Sequence, residues 1–342
     1  MIKTLLAATA ATLALTASAS AADVTLRVHH FLSADAPMHT EVLVPWEKAV
    51  EEQSGGRIDV QIFPSMQLGG KPPQLFDQAR DGIVDVSWTL LGYTPGRFPL
   101  AEVFELPFMS GTAAQTTAAL QQFQAKYLGD EMRQVHPLLL HAPAGYKFHM
   151  TGEPIDSLDD LKGKKIRAPS RAMTEALNAL GATAVGMPVP EVAQALTTGV
   201  IDGAQIPWEV VGSLRVEEIT KSHSEIGSEN GGMSTSVMAL VMNRAKYDSL
   251  PDDLKKVIDD NSGAKLAALA GEAFDRVEAE ERQKYVTAGA AINVIPEAEL
   301  QPWRDATQPV LDAWVKQTTD AGQDGQAMLD DAKAMLAAAG AK

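Results

Sequence analysis

One order of elements occurs twice along the chain and restricts its fold more than any other feature. Val24–Phe31 reads as a strand, Met38–Gln53 as a helix carrying Val42, Trp46, Ala49 and Val50 at helical spacing, and Arg57–Phe63 as an alternating strand. Pro72 and Pro73 open a helix through Leu75, Phe76 and Ala79 that Gly82 closes, and Ile83–Trp88 is a third strand. The order returns as strand Lys164–Pro169, helix Arg171–Leu180 stopped by Gly181, strand Ala182–Met187, helix Pro190–Thr198 stopped by Gly199, and strand Val200–Ile206. The closing segments match locally, Asp81-Gly82-Ile83-Val84-Asp85 against Thr198-Gly199-Val200-Ile201-Asp202. Two β-α-β-α-β units predict an α/β protein of two lobes, each a mostly parallel sheet flanked by helices. One large doubly wound sheet is the alternative. The chain has 342 residues, longer than the ~250–300 at which a single core stops growing, which favours two lobes.

The expected division places 23–144 plus 236–260 in lobe I and 145–235 plus 261–300 in lobe II, with 301–342 as helices packing on both. Segments near Lys147–Pro154 and Gly231–Val237 then act as hinges. Asp252–Val286 lacks proline and has only two glycines, Gly263 and Gly271, so it reads as one long helix or two abutting ones reaching across both lobes. Pro302–Trp314 and Gly325–Ala339 add two helices.

The N-terminus sets the compartment. A basic start at Lys3, an uncharged run Thr4–Leu15 and the small residues Ala19-Ser20-Ala21 read as a secretory signal over residues 1–21; an N-terminal core helix is the alternative. No later stretch approaches the ~18 apolar residues of a membrane span, so no direct membrane insertion is expected. Export together with an absence of cysteine points to a bacterial periplasm. The 29 basic and 44 acidic residues give a net charge of −15, which disfavours nucleic acid and anionic membranes as partners. Zero cysteines remove disulfides, thiol catalysis and Cys-ligated metals. His29 and His30 are adjacent on a strand, point to opposite faces and cannot jointly chelate a metal. There is no nucleophile elbow, phosphate loop, His-Glu-x-x-His or calcium loop, so no cofactor, no metal and no catalytic residue is expected. A periplasmic enzyme using His30 or His149 as base is the rival class, and a sensory receptor component a third.

Open α/β sheets bind ligands at the carboxyl ends of their strands, where two lobes can face each other. Candidates at such ends are His30, Phe31, Trp88, Tyr146, Lys147, Arg167, Ile206 and Trp208, with Tyr93 close by. Arg167 leads, because a guanidinium in a buried strand needs an anion and Ala168, Pro169 and Ser170 supply none. Either a distant Asp or Glu satisfies it or a ligand does. Trp88 and Trp208 each follow a matched Gly-x-x-Asp unit, as core residues or as ligand platforms.

Pro64-Ser65-Met66-Gln67-Leu68-Gly69, Phe104-Glu105-Leu106-Pro107-Phe108, Leu161–Pro169 and Val200-Ile201-Asp202-Gly203, in this order, resemble the DctP-type solute-binding proteins of tripartite ATP-independent periplasmic (TRAP) transporters. The resemblance covers about Asp23 to Leu336. It implies a monomeric receptor that closes two lobes on an organic acid and delivers it to DctQ- and DctM-like permease subunits driven by an ion gradient. It also implies that Arg167 pairs with the ligand carboxylate. Some members carry a second arginine where this chain has Lys147, a point charge without the planar fork. Members with Asn-Pro after the Asp-Gly strand use that asparagine on polar ligand groups; here the pair is Ile206-Pro207, followed by Trp208. An apolar residue there disfavours hydroxylated sugar acids and suits a monocarboxylate with an apolar or aromatic body, or a 2-oxo or 2-hydroxy acid.

Overall fold

The computed structural model describes residues 22–227 and 232–340. The expected export signal and Gly231, first residue of the second expected hinge, lie outside them. Eleven strands are described: β1 (Val24–His29), β2 (Ile58–Phe63), β3 (Val86–Leu90), β4 (Val135–His141), β5 (Lys147–Met150), β6 (Lys165–Ala168), β7 (Thr183–Gly186), β8 (Gly203–Ile206), β9 (Ser222–Gly227), β10 (Met238–Asn243) and β11 (Ile292–Pro296). They form two sheets, β2-β1-β3-β10-β4 and β11-β9-β5-β8-β6-β7, so the one-sheet alternative does not hold.

Each sheet is parallel apart from one strand. β10 runs antiparallel to β3 and β4, and β5 antiparallel to β8 and β9. These two strands follow the points where the chain passes between sheets, from β4 to β5 and from β9 to β10. A direct link can deliver a strand antiparallel, whereas parallel neighbours need helical crossovers. β3 and β10 are buried along their whole length because helices cover both faces of the first sheet. Successive residues serve opposite cores: Leu139 and Leu240 join an inner cluster, Leu140 and Val241 an outer one with Phe104 and Phe123. The inner cluster continues from Leu26 and Val28 through Phe31 and Trp88 to Ile206 and Trp208 of the second lobe.

The matched five-residue segments build the same device in both lobes. Gly82 (φ 73°) and Gly199 (φ 71°) sit in the left-handed region, so both segments are turns. β3 and β8 consequently begin at Val86 and Gly203, three residues later than alternation predicts. The aspartate after each turn pins the neighbouring strand. Asp85 accepts the Arg27 amide at 2.9 Å and Asp202 the Lys165 amide at 2.8 Å, while their own amides donate to the Arg27 and Lys165 carbonyls. Apolar Ile83 and Val200 face solvent (57% and 51% exposed), which a strand reading does not anticipate.

The region after Pro251 is two abutting helices, Asp252–Asp260 and Gly263–Thr287, parted at Asn261 and Ser262. The second, 25 residues and about 37 Å long, packs on β4 and the helix Ala113–Tyr127 of the first lobe and on the helix Trp208–Leu214 of the second. Three of its side chains act as anchors. Asp275 accepts the Ala113 and Ala114 amides, Glu278 accepts the Glu209 amide, and Arg282 holds Glu225 on β9 with two hydrogen bonds. The Asp275 and Glu278 carboxylates each sit at a helix N-terminus, where the dipole favours them. The helices Gln301–Asp320 and Gly325–Gly340 cover both lobes: Trp303 enters the second lobe's outer core, and Trp314, Met328 and Leu329 that of the first. Among the described residues, no helix is long and apolar enough to cross a membrane.

Of the three inter-sheet links, β4–β5 and β9–β10 touch through residues 143–146 and 232–235. Tyr146 donates its amide to the Ser234 carbonyl at 2.8 Å, and the Thr235 hydroxyl donates to the Pro143 carbonyl at 2.9 Å. Gly232 lies where they touch, and a Cβ there would stand 2.7 Å from the Tyr146 nitrogen and the Gly145 carbonyl carbon. Backbone cannot yield as a side chain can, so Gly232→Ala is expected to cost about 1–3 kcal/mol. Thermal unfolding checks this as a Tm lowered by several degrees.

Candidate functional site

Arg167 is placed by β6, whose partners β7 and β8 cover it on both sides. It is 1% exposed. Nε donates to the Met187 carbonyl at 3.1 Å and one terminal nitrogen to the Gln205 carbonyl at 3.0 Å. The other terminal nitrogen, Nη2, is buried without a partner, and no carboxylate pairs with Arg167 among the described residues. Two backbone carbonyls hold the guanidinium in place without neutralising it. A buried charge without a counter-charge is costly.

The guanidinium borders a small cavity between the lobes. From the first lobe come Phe31 and Trp88, stacked with centroids 4.7 Å apart and planes at 15°, and Tyr93, edge-on to Phe31 at 5.6 Å. From the second come Ile206, Pro207 and Val189. Tyr146 arrives on the first link between lobes and Phe274 on the long helix. The Tyr93 hydroxyl accepts the Val189 amide at 2.9 Å, which ties the lobes across the cavity. Burial pushes both tyrosine hydroxyls up, and the nearby Arg167 charge partly opposes this, so both remain neutral donors beside the guanidinium.

Arg167, Phe31, Trp88, Tyr93, Tyr146 and Ile206 thus converge on one cavity, while three other candidates are turned elsewhere. Lys147 is fully buried, but its ammonium lies 2.5 Å from Glu278 and 2.7 Å from the Gly145 carbonyl, and it does not line the cavity. His30 bonds His39 through its ring nitrogens at 2.9 Å. Trp208 donates its indole N–H to Glu225 at 2.8 Å and packs on His149, His223 and Tyr285 behind the cavity wall. The two tryptophans are not equivalent: Trp88 stands six residues after Gly82 within β3, whereas Trp208 stands nine after Gly199 and opens a helix. No cluster able to hold a metal occurs among the described residues.

Sequence reasoning passed over Glu209, Pro143, Met238 and Phe274, all cavity-lining. Glu209 follows the strand-end run Ile206-Pro207-Trp208 by one residue, so extending the strand-end rule into the first helical turn would have found it.

Two α/β lobes meeting around one small apolar cavity with a single unpaired cation define a two-lobed solute receptor. The chain belongs to family 7 of the bacterial extracellular solute-binding proteins, the DctP family, whose model matches residues 28–318. It is similar to a TRAP solute-binding protein from a marine metagenome (an unidentified microbe), described as specific for aromatic acid ligands and solved with metahydroxyphenylacetate. The two share 42% identity and a TM-score of 0.89, covering 92% of this chain and 98% of the other. That protein has also been solved with 3-hydroxybenzoate. A TRAP solute-binding protein from Rhodoferax ferrireducens T118, solved with copurified benzoate, is 40% identical with a TM-score of 0.89 over 92% of this chain and 98% of its own. The C4-dicarboxylate-binding periplasmic protein DctP of Rhodobacter capsulatus is 26% identical over 90% of this chain and 91% of the relative.

Histidines support the aromatic wall. His141 is fully buried, and its Nε2 accepts the Trp88 indole N–H at 2.9 Å, which requires an unprotonated nitrogen. Burial lowers His141 to about 3; burial, then His39 and His29, lower His30 to about 3. In the unfolded chain both titrate near 6.5, so between pH 6.5 and 3 the unfolded state binds more protons. Stability is therefore full above 6.5 and falls as pH drops, by roughly 2 kcal/mol per histidine at pH 5. The stability lost in His141→Gln, read from urea midpoints, should therefore stay constant from pH 7.5 to about 6.5 and shrink by roughly 2 kcal/mol at pH 5.

Proposed function

We propose that this protein is a monomeric periplasmic receptor for an aromatic monocarboxylate, which it delivers to DctQ- and DctM-like subunits of an ion-gradient-driven TRAP permease. The reading rests above all on the buried, carboxylate-free guanidinium of Arg167 at an aromatic cavity. The ligand carboxylate meets Nη2, with the Tyr93 and Tyr146 hydroxyls close by. A charge-assisted hydrogen bond of this kind contributes roughly 1.5–3 kcal/mol. The ring lies against Phe31, Trp88 and Ile206, and burying ~150 Å² of it adds about 4 kcal/mol. The ligand favours the closed arrangement because the first lobe supplies the stacked rings and the second the charge, so only closure offers both.

One cation limits the ligand to one carboxylate. Lys147 is already neutralised by Glu278, so a second carboxylate would be buried without a partner. The benzoate and hydroxylated aromatic acids held by the 40–42% identical proteins support the same ligand class. The role proposed is binding without turnover, as for the family's receptors.

Titration calorimetry with benzoate tests the assignment. Arg167→Ala is expected to weaken binding at least 100-fold, about 3 kcal/mol, while keeping the native circular dichroism spectrum. Benzamide, which has the ring without the charge, should not bind measurably. Unchanged benzoate affinity in the variant would overturn the role of Arg167.

A further inference from the structure

The cavity contains a second polar group that binding a simple aromatic acid leaves unused. Glu209 lies in the first turn of the helix Trp208–Leu214, three residues beyond Ile206, and lines the cavity. It is 7% exposed, and its Oε2 has no hydrogen-bond partner. Its amide is held by Glu278, which fixes the start of the helix independently of the side chain. We propose that Glu209 is a specificity-determining residue that hydrogen-bonds a hydroxyl group carried on the ring of the aromatic acid. This rests on the ligand class proposed above and names the substituent that distinguishes its members.

Two observations give the group this chemistry. Arg167 acts electrostatically on the Tyr93 and Tyr146 hydroxyls, whereas the charges acting on Glu209 are Glu278, Lys147 and Glu281. Arg167 reaches the cavity from β6 and Glu209 from the helix Trp208–Leu214, so the two polar groups enter it from different elements. Burial, then Glu278 and Glu281, push the Glu209 carboxyl well up against the opposing pull of Lys147, which favours the neutral form that can both donate and accept. A neutral carboxyl matches a neutral hydroxyl and repels neither partner. It has no charge to offer an ammonium and no means to neutralise a second carboxylate. Glu209 also borders an outer groove lined by Glu217, Glu280 and Glu281, so it forms part of the partition between that acidic groove and the cavity. An apolar ring substituent beside it leaves a buried polar atom unsatisfied, and sites of this type discriminate strongly against analogues that lack the hydroxyl.

The test is calorimetry of the full-length mature protein with benzoate, the three hydroxybenzoates and the three methylbenzoates, which match the hydroxyl in size. At least one hydroxybenzoate should bind tenfold or more tightly than its methyl counterpart. Glu209→Met should abolish that ratio, with folding of the variant read from its circular dichroism spectrum and its thermal unfolding. Glu209→Gln, with the same shape and a donor–acceptor pair, should retain the preference. A ratio near one in the native protein, or an undiminished ratio in Glu209→Met, overturns the proposal even where benzoate binds well. If the native protein binds none of these acids, the aromatic-acid reading fails and the role of Glu209 falls with it.

Discussion

A guanidinium buried with one of its two terminal nitrogens unpaired is the condition around which the rest of the site is arranged. The carbonyls of Met187 and Gln205 orient Arg167 without cancelling its charge, and apart from Glu209 the cavity is lined by aromatic and aliphatic residues. The contrast with Lys147 is instructive, since both are fully buried cations on adjacent parts of one sheet. Lys147 has a carboxylate from another element and is thereby a structural group. Arg167 has none among the described residues, and the same cost of burial is the reason the proposed ligand is an anion.

The scaffold that keeps this arrangement is a strap more than a hinge alone. The 25-residue helix fixes the N-terminus of a first-lobe helix through Asp275, and the N-terminus of a second-lobe helix together with β5 through Glu278. Arg282 then reaches β9 through Glu225, the carboxylate that also receives the Trp208 indole. Side chains spaced three and four residues apart on one helix face thus tie the strands behind the cavity to the other lobe. His149 and His223 fill the space between these ties, bonded to each other at 2.9 Å.

Much of this architecture is legible in the sequence where local chemistry decides it. The repeated strand and helix order, the two tail helices and the two-lobe plan follow from periodicity and glycine stops. The starts of β3 and β8 were misread because Ile83-Val84 and Val200-Ile201 look like strand, whereas glycines in the left-handed region and aspartates that cap a neighbouring strand make them turns. Within the site, the lack of a carboxylate near Arg167 in sequence could be read directly, and among the described residues none arrives from afar. The state of Lys147 could not be read, because Glu278 lies 131 residues away on an element whose register no local pattern sets. Trp208 misled because its likeness to Trp88 was one of sequence neighbourhood, and three extra residues carry it from a strand onto a helix. Glu209 escaped attention as an ordinary acid in a helical first turn, a position where carboxylates usually meet water.

The tie between Tyr93 and the Val189 amide, with Phe31, Trp88, Ile206 and Arg167 all nearly sealed from solvent, has a kinetic consequence. A guest enclosed on all sides cannot leave by diffusing out of a stationary pocket; the tie must break and the lobes must part first. How long a molecule stays is then governed by the frequency of that parting as well as by the contacts it makes. Any partner that pries the lobes apart gains control over unloading without having to compete for the guest itself.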